Sequence, residues 1–413
     1  MRQSGKRRLD LDDRGAFVLP RSVTQARAGD AREVGASQGG RPARVGVIYG
    51  GPSPEHDVSI LTGLQAVHAL AHAPGVGSVR SLYWSKSGDW YEVQATTEAA
   101  GFVEGVPNNA VRLRLISCPG GGFVKPASGL RAKEDRLDLD AVLVCCHGGP
   151  GEDGTLQGAL DLTGVPYSGP TAMGAALGMD KLAFGTLVIY AGLPALPRVP
   201  LSEDSEEPGF DPPYILKPRF GGSSIGIDVV ADFDTARARL KANPHLRRGA
   251  VLEPYESEMF DLQLAVRSWP ELQLSAVERP LRTRSGGEIL GYQDKYVGSE
   301  GMTSAPRELP AQIEPELGER IRMLAPEVAS LVGLRGVARL DFLSDGEDVF
   351  INEINTIPGS LSHYLWIDPR LPFTSLLLDL LAEAIQQPAA AYSSAGSDGS
   401  ALRLAGSIAS KLG

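Results

Sequence analysis

Cysteine is scarce in these 413 residues: Cys118, Cys145 and Cys146 are the full set, with no CxxC pair and no metal-ligand spacing. A disulfide framework and a thiolate metal site are therefore excluded. Cys145 and Cys146 close the apolar run 139–146 and read as buried thiols in a reducing cytoplasm. No apolar run is long enough to cross a bilayer. Positive charge is in deficit as well. A net charge of −10 argues against a general nucleic-acid or anionic-membrane binder. Also missing is a GxGxxG spacing at Gly50-Gly51, and Glu55-His56 at the following helix start suits no pyrophosphate. A dinucleotide enzyme is thereby disfavoured.

What is present has the composition of a soluble enzyme, with 42% apolar and 22% charged residues. The length predicts two or three domains, each with its own core. Residues 1–43 are rich in Arg, Ala, Gly and Ser without periodicity, which predicts a disordered basic extension. No apolar segment follows Arg7-Arg8, so a twin-arginine signal is not formed. Residues 387–413 form a low-complexity tail. The chain between divides into parts at 44–168, 169–254 and 255–386.

The first part alternates strand, Gly-rich loop and helix. The strand from Arg44 runs into Gly50-Gly51-Pro52-Ser53-Pro54-Glu55-His56, and Val58, Leu61, Leu64, Val67 and Leu70 then recur at helical spacing. The apolar run 137–146 predicts a central parallel strand ending at His147-Gly148-Gly149-Pro150-Gly151-Glu152-Asp153-Gly154. This is the pattern of an open α/β sheet with a ligand crevice at its strand ends. In the second part Lys181 opens a helix, and Lys217 ends a strand just before Gly221-Gly222-Ser223-Ser224. Such a loop beside a lysine can wrap phosphates, although Gly-Gly-Ser-Ser is equally a hairpin tip. Glu253, at a strand end, and Glu258 suit an amine and ribose hydroxyls. The third part carries Lys295-Tyr296 before another Gly/Ser-rich segment.

Its most informative segment is a hairpin. Arg339 and Asp341 share one face of a strand, Asp345-Gly346 turns the chain, and Glu353 and Asn355 share a face of the return. Two carboxylates and an amide form an oxygen-only set suited to a hard cation such as Mg²⁺. Thr356-Ile357-Pro358-Gly359-Ser360 turns the chain again and offers the Gly359 N–H beside Arg339.

Gly50 to Ser59, the 147–154 loop, Met179-Asp180-Lys181, Lys217-Pro218, Gly222-Ser223-Ser224, Lys295-Tyr296, Arg339-x-Asp341 and Glu353-x-Asn355-Thr356 occur in that order. Over 44–385 the chain resembles the D-alanine–D-alanine ligases, ATP-grasp enzymes of peptidoglycan precursor synthesis. The resemblance implies an α/β protein: an ATP-grasp fold with an N-terminal open parallel-sheet, Rossmann-like (pre-ATP-grasp) domain. It implies ATP between the second and third parts, under the loop bearing Gly222, Ser223 and Ser224. Lys181 and Lys217 would hold its phosphates, Glu253 and Glu258 its adenosine, and Lys295 would bind the cofactor too. Asp341, Glu353 and Asn355 would hold two Mg²⁺ (or Mn²⁺) ions. Glu55, bonded with Ser223 and Tyr296, would receive the first D-alanine's ammonium, while Arg339 and Gly359 would stabilise the oxyanion. A cytoplasmic homodimer serving cell-wall biogenesis and cell shape is implied too, with neither nucleic acid nor membrane as partner. His56 is not expected to be catalytic, and His147 is open between a structural and a substrate-facing role.

One departure stands out. Counting from Pro358-Gly359, Tyr364 occupies the place where the family usually has a small hydroxyl residue for the second amino acid's carboxylate. Ser362, His363 or the Tyr364 hydroxyl is left to meet that carboxylate. An alternative acceptor, another amino acid or a hydroxy acid, therefore stands beside D-alanine.

Overall fold

The computed structural model describes residues 42–127, 134–281, 306–390 and 392–405. All but the last two residues of the expected 1–43 extension lie outside them. The first part contains β1 (Arg44–Gly50), α1 (His56–Ala71), β2 (Ser78–Trp84), β3 (Trp90–Val93), β4 (Val111–Ile116), β5 (Gly122–Lys125), β6 (Asp135–Arg136), β7 (Ala141–Val144) and α2 (Thr155–Thr163). The strands form one sheet in the order β6-β5-β4-β3-β2-β1-β7. Among the described residues β2, β1 and β7 run parallel, and Tyr167 adds a parallel bridge to Val142 on the far side of β7; from β3 outward the pairing is antiparallel. The expected open parallel sheet is thus a mixed sheet whose parallel strands sit at one side. The loops after β1 and β7, adjacent parallel strands, emerge side by side, which is where such sheets bind ligands.

Helix α1 is turned from the face that its leucines suggest. Leu61 is 48% exposed, while Ser59, Thr62, Gly63, Ala66, Val67 and Leu70 are buried. A Cβ on Gly63 would stand 2.3 Å from the Tyr49 ring. The small face lets α1 lie close on β1 and turns Ser59 and Thr62 into the loops beyond the sheet.

The second part adds α3 (Ala172–Met179), α4 (Lys181–Tyr190), β8 (Val199–Leu201), β9 (Tyr214–Pro218), β10 (Asp228–Val230), α5 (Phe233–Ala242) and β11 (Ala250–Pro254). Its strands pair in the order β10-β9-β11-β8 over a small core that includes Tyr214, Leu216 and Leu252. The third part has β12 (Phe260–Arg267), β13 (Gln273–Leu274), β14 (Arg279–Pro280), β15 (Arg307–Glu308), α6 (Pro315–Leu331), β16 (Val337–Ser344), β17 (Val349–Asn355) and α7 (Phe373–Gln386). Its main sheet runs β13-β12-β16-β17, and a third core gathers Leu264, Ile321, Val328, Leu340 and Phe342 with Phe184 and Val188 of α4.

Two helices cross the expected part boundaries. Helix α4 packs with the third core, and α7 buries Leu376, Leu377, Leu380 and Leu381 in the first. Each leucine so buried contributes about 1.5–3 kcal/mol. Their combined burial holds the end of the third part over the first sheet, and the turn at 357–366 is carried there too. In the tail, α8 (Ser400–Ala405) buries no residue.

Candidate active site

The predicted hairpin forms in register. Asp341 on β16 faces Glu353 on β17, and Arg339 faces Asn355. A register shift after Asp341 makes Asn352 the extra residue of a β-bulge, which lets Asn352 and Glu353 face the same cleft although they are adjacent. The Arg339 guanidinium donates to both Asp341 oxygens, at 2.6 and 2.7 Å. Asn355 Nδ2 donates to Asp341 Oδ2 at 3.1 Å, and Lys181 Nζ stands 3.5 Å from Glu353 Oε2. Two carboxylates and an amide oxygen on one face make an all-oxygen donor set that fits a hard divalent cation. Among the described residues no group of three or more His, Cys, Asp or Glu side chains is gathered to hold a metal ion, and the hairpin brings two carboxylates with its amide.

A cleft opens between the second and third sheets. Lys217 enters from the end of β9, donating to Glu253 Oε2 at 2.8 Å and to Asn352 Oδ1 at 3.2 Å. Lys181 opens α4, whose N-cap Asp180 accepts from the N–H groups of Leu182 and Ala183. Asp180 is also gripped by Arg219 at 2.6 and 2.8 Å, while Lys181 Nζ donates to the Gly221 carbonyl. The phosphate-type loop is thereby tied to the helix start. Ser223 and Ser224, at its lip, hold left-handed backbone (φ 52° and 58°), a conformation that costs a non-glycine residue about 1–2 kcal/mol.

Glu253 is only 1% exposed and sits at the base of this cleft. Burial alone would raise its pKa, but Lys217 and Arg198 beside it hold the carboxyl below the ordinary range. Glu258 requires a correction. It is exposed and off the cleft lining, because the alternation along β12 turns Asp261 and Gln263 inward. Glu256 and Met259 complete that end.

Glu55 joins the first part to this cleft. Ser223 Oγ donates to Glu55 Oε1, and backbone crowds the carboxylate from two sides. A Cβ on Gly148 (φ +62°) would stand 2.3 Å from Glu55 Oε2, and one on Gly222 would stand 2.8 Å away. Glu55, Lys181, Gly222, Glu353 and Asn355 line one small cavity, so the Glu55 carboxylate and the hairpin oxygens face each other. Lys295 and Tyr296 lie outside the described residues.

Two profiles of one family match the chain, "D-ala D-ala ligase N-terminus" over 44–170 and "D-ala D-ala ligase C-terminus" over 201–381. The D-alanine–D-alanine ligase of Methylobacterium sp. (strain 4-46) is 33% identical, aligning 84% of this chain with 92% of its own. That of Bradyrhizobium sp. (strain ORS 278) is 30% identical over 84% and 96%. This chain belongs to the D-alanine–D-alanine ligase family. The VanG D-Ala:D-Ser ligase of Enterococcus faecalis superposes with a TM-score of 0.66 at 25% identity, over 82% of this chain and 98% of that one. The Coxiella burnetii D-alanine–D-alanine ligase, 21% identical with a TM-score of 0.65 over 83% and 93%, shares the fold. The chain is therefore an ATP-dependent ligase of the ATP-grasp type, in a family that uses ATP and Mg²⁺ for peptidoglycan synthesis.

The ligase holds Gly359 at the head of a 3₁₀ turn, Gly359–Leu365, that packs against β16. Sequence reasoning missed what holds this turn. Ser360 N–H donates to Thr62 Oγ1 at 3.0 Å, Thr62 Oγ1 lies 2.7 Å from His147 Nε2, and His147 Nδ1 lies 2.7 Å from the Ile357 carbonyl. The carbonyl can only accept, so Nδ1 carries the proton and Nε2 accepts from the Thr62 hydroxyl. His147, 3% exposed, is thus structural, and burial lowers its pKa to about 4. Glu152 Oε1 accepts from the Ile357 N–H at 2.9 Å, and burial together with the Glu55 charge raises its pKa to about 7. His56 is structural too, bonded to the Gly51 carbonyl and the Tyr83 hydroxyl.

Within the Gly359–Leu365 turn Tyr364 lies under Arg307, whose guanidinium is 4.8 Å from the ring centroid. Arg307 is paired with the buried Glu278 at 2.9 Å. The His363 ring packs on Phe373 at 4.8 Å, and Ser362 is fully buried. Asn352 and Arg198 were missed as well. A bulge carries no sequence signal, and a lone arginine before a strand reads as surface.

Proposed function

We propose that this ligase joins two D-alanines into D-alanyl-D-alanine, with ADP and phosphate as the other products. The observation that carries the reading is the small cavity shared by Glu55 and the Glu353–Asn355 oxygens, because a donor amino acid bound there has its carboxylate at the phosphate end of the cleft. Glu55, oriented by Ser223 Oγ, takes the donor ammonium. Lys181 and Lys217 hold the polyphosphate, with the backbone of Gly222 and Ser224 around it, and Lys295, outside the described residues, is assigned to the nucleotide as well. Asp261 and Gln263, with the frame set by Glu253, serve the nucleoside end. Asp341, Glu353 and Asn355 hold two Mg²⁺, which when bound neutralise the phosphate charge.

The donor carboxylate takes the γ-phosphoryl group, because a free carboxylate is a poor acyl donor and the acyl phosphate supplies a leaving group. The acceptor amine then attacks the carbonyl. Arg339 and the Gly359 N–H meet the oxyanion, and losing one such donor costs about 10²–10³ in rate. Tyr296, outside the described residues, is assigned to shield the intermediate from water. The enzyme works in the cytoplasm as a homodimer; among the described residues no helix is long and apolar enough to cross a membrane.

Tyr364 and its Arg307 partner favour a second reading, in which the acceptor differs. The VanG likeness makes D-serine the first candidate. Mass detection of the product with ATP, Mg²⁺ and D-alanine alone, then with D-serine added, separates the readings. D-alanyl-D-alanine as the main product in both mixtures supports the first. A mixed product that displaces it moves the assignment to the second.

A further inference from the structure

Arg198 precedes β8 and belongs to none of the sequence motifs, yet its side chain is only 2% exposed. Nη1 donates to the Lys181 carbonyl at 3.0 Å, and Nη2 donates to the Asn352 carbonyl at 3.2 Å. Nε stands 3.7 Å from Glu253 Oε1. A Cβ on Gly185 would lie 2.3 Å from Arg198 Nε, so α4 reaches the guanidinium through a residue with no side chain. The start of α4, the end of β11 and the bulge of β17 all line the nucleotide cleft, and all three meet on this one group.

Charge shows what the arrangement does. Glu253 lies between Arg198 and Lys217. With Lys217 alone, the buried pair would be neutral, and the ammonium would be committed to the carboxylate. With Arg198 added, the trio carries one net positive charge, and of its two cations Lys217 is the one that lines the cleft. Arginine suits the buried place because its guanidinium stays protonated when desolvated, whereas a lysine there readily loses its charge.

We infer that Arg198 is a positioning residue for the nucleotide: it neutralises Glu253 from beneath and so leaves the Lys217 ammonium to the polyphosphate of ATP. It also sets the backbone at Lys181 and Asn352. The inference rests on the family's use of ATP and not on the identity of the acceptor.

ATP binding without amino acids, measured by calorimetry on the full chain, tests it apart from ligation. Arg198→Met leaves Glu253 to draw on Lys217 alone, and ATP affinity falls about 10- to 100-fold. Adding Glu253→Gln removes the uncompensated carboxylate and returns affinity to within about threefold of Glu253→Gln alone. In steady state the loss in Arg198→Met appears in the KM for ATP, with kcat at saturating ATP changed less than about threefold. A merely structural arginine would give a double variant as weak as Arg198→Met, and that result overturns the inference. Wild-type affinity in Arg198→Met overturns it too. Should Arg198→Met not fold, the double variant decides alone: binding within about threefold of Glu253→Gln supports the inference, and weaker binding overturns it. A wild type that binds no ATP overturns both this inference and the ligase mechanism.

Discussion

The metal-type hairpin and the turn that follows it adjoin in sequence but are held in opposite ways. Across 339–355 the β16–β17 ladder pairs residues at most 16 apart, and Arg339, Asp341, Glu353 and Asn355 acquire their relations from strand alternation alone. From 356 onward the chain bends through Ser360, Leu361 and Ser362, all left-handed at φ 46–50°. Three such non-glycine residues cost about 1–2 kcal/mol each, so the turn persists only where its surroundings over-determine it. Those surroundings are Thr62, His147 and Glu152, between 204 and 298 residues away in the chain. Local bonds set out the hairpin oxygens that we assign to the metal, and distant bonds set out the turn that we assign to the acceptor. The family can therefore keep one chemistry while its acceptor side varies.

Removing a hairpin group should damage chemistry without damaging the fold. Asp341→Asn keeps the strand register and removes a charge facing the phosphates. A lost ion contact of several kcal/mol predicts a fall of about 10³-fold or more in kcat, with the melting temperature little changed. Stopped assays and thermal unfolding on the same preparation check this. Activity within tenfold of wild type would break the contrast, since the hairpin would then be scaffold rather than site. The same contrast explains what the sequence allowed. Period-2 alternation and an Asp-Gly turn place Asp341, Glu353 and Asn355 without any tertiary information. Nothing local marks Thr62, which occupies the buried side of a helix whose leucines suggest another face. Arg198 and Asn352 are hidden for the same reason, as their partners are backbone carbonyls and side chains of other elements.

The turn should respond to acid through His147. Its folded pKa, lowered by burial to about 4 from the usual 6.5, means the unfolded chain binds the proton first. The neutral ring's contribution is then fully present above pH 6.5 and is lost as pH falls through the window to about 4, on the order of 3 kcal/mol in all. Glu152 works against it. Its pKa is raised to about 7 from 4.5, so its contribution is present below pH 4.5 and is lost as pH rises through 7. The wild type should be nearly flat where the windows overlap, and His147→Gln should unmask Glu152, with stability falling as pH rises. Denaturant unfolding of both proteins from pH 4.5 to 7 measures the difference, and parallel curves would remove His147 as the sensor.

The smallest expected effect concerns the one site position that the sequence placed wrongly in space. Glu258 precedes β12, where no ladder yet fixes the alternation, and counting from Glu253 across an irregular turn carries no phase. Inside the strand the phase is set by pairing, Gln263 against Asp341 and Asp261 against Leu343, so Asp261 faces the same cleft as the hairpin. Glu258→Ala, an exposed change off the lining, should leave the KM for ATP within about twofold. Asp261→Ala removes a polar group from the lining and should raise it by about 5- to 10-fold, the weight of one ordinary hydrogen bond. The opposite ranking would mean that the segment before β12 swings inward when nucleotide binds. The nucleoside end of the cleft would then belong with the turn, set by contacts beyond its own strand, and only the phosphate end would be local.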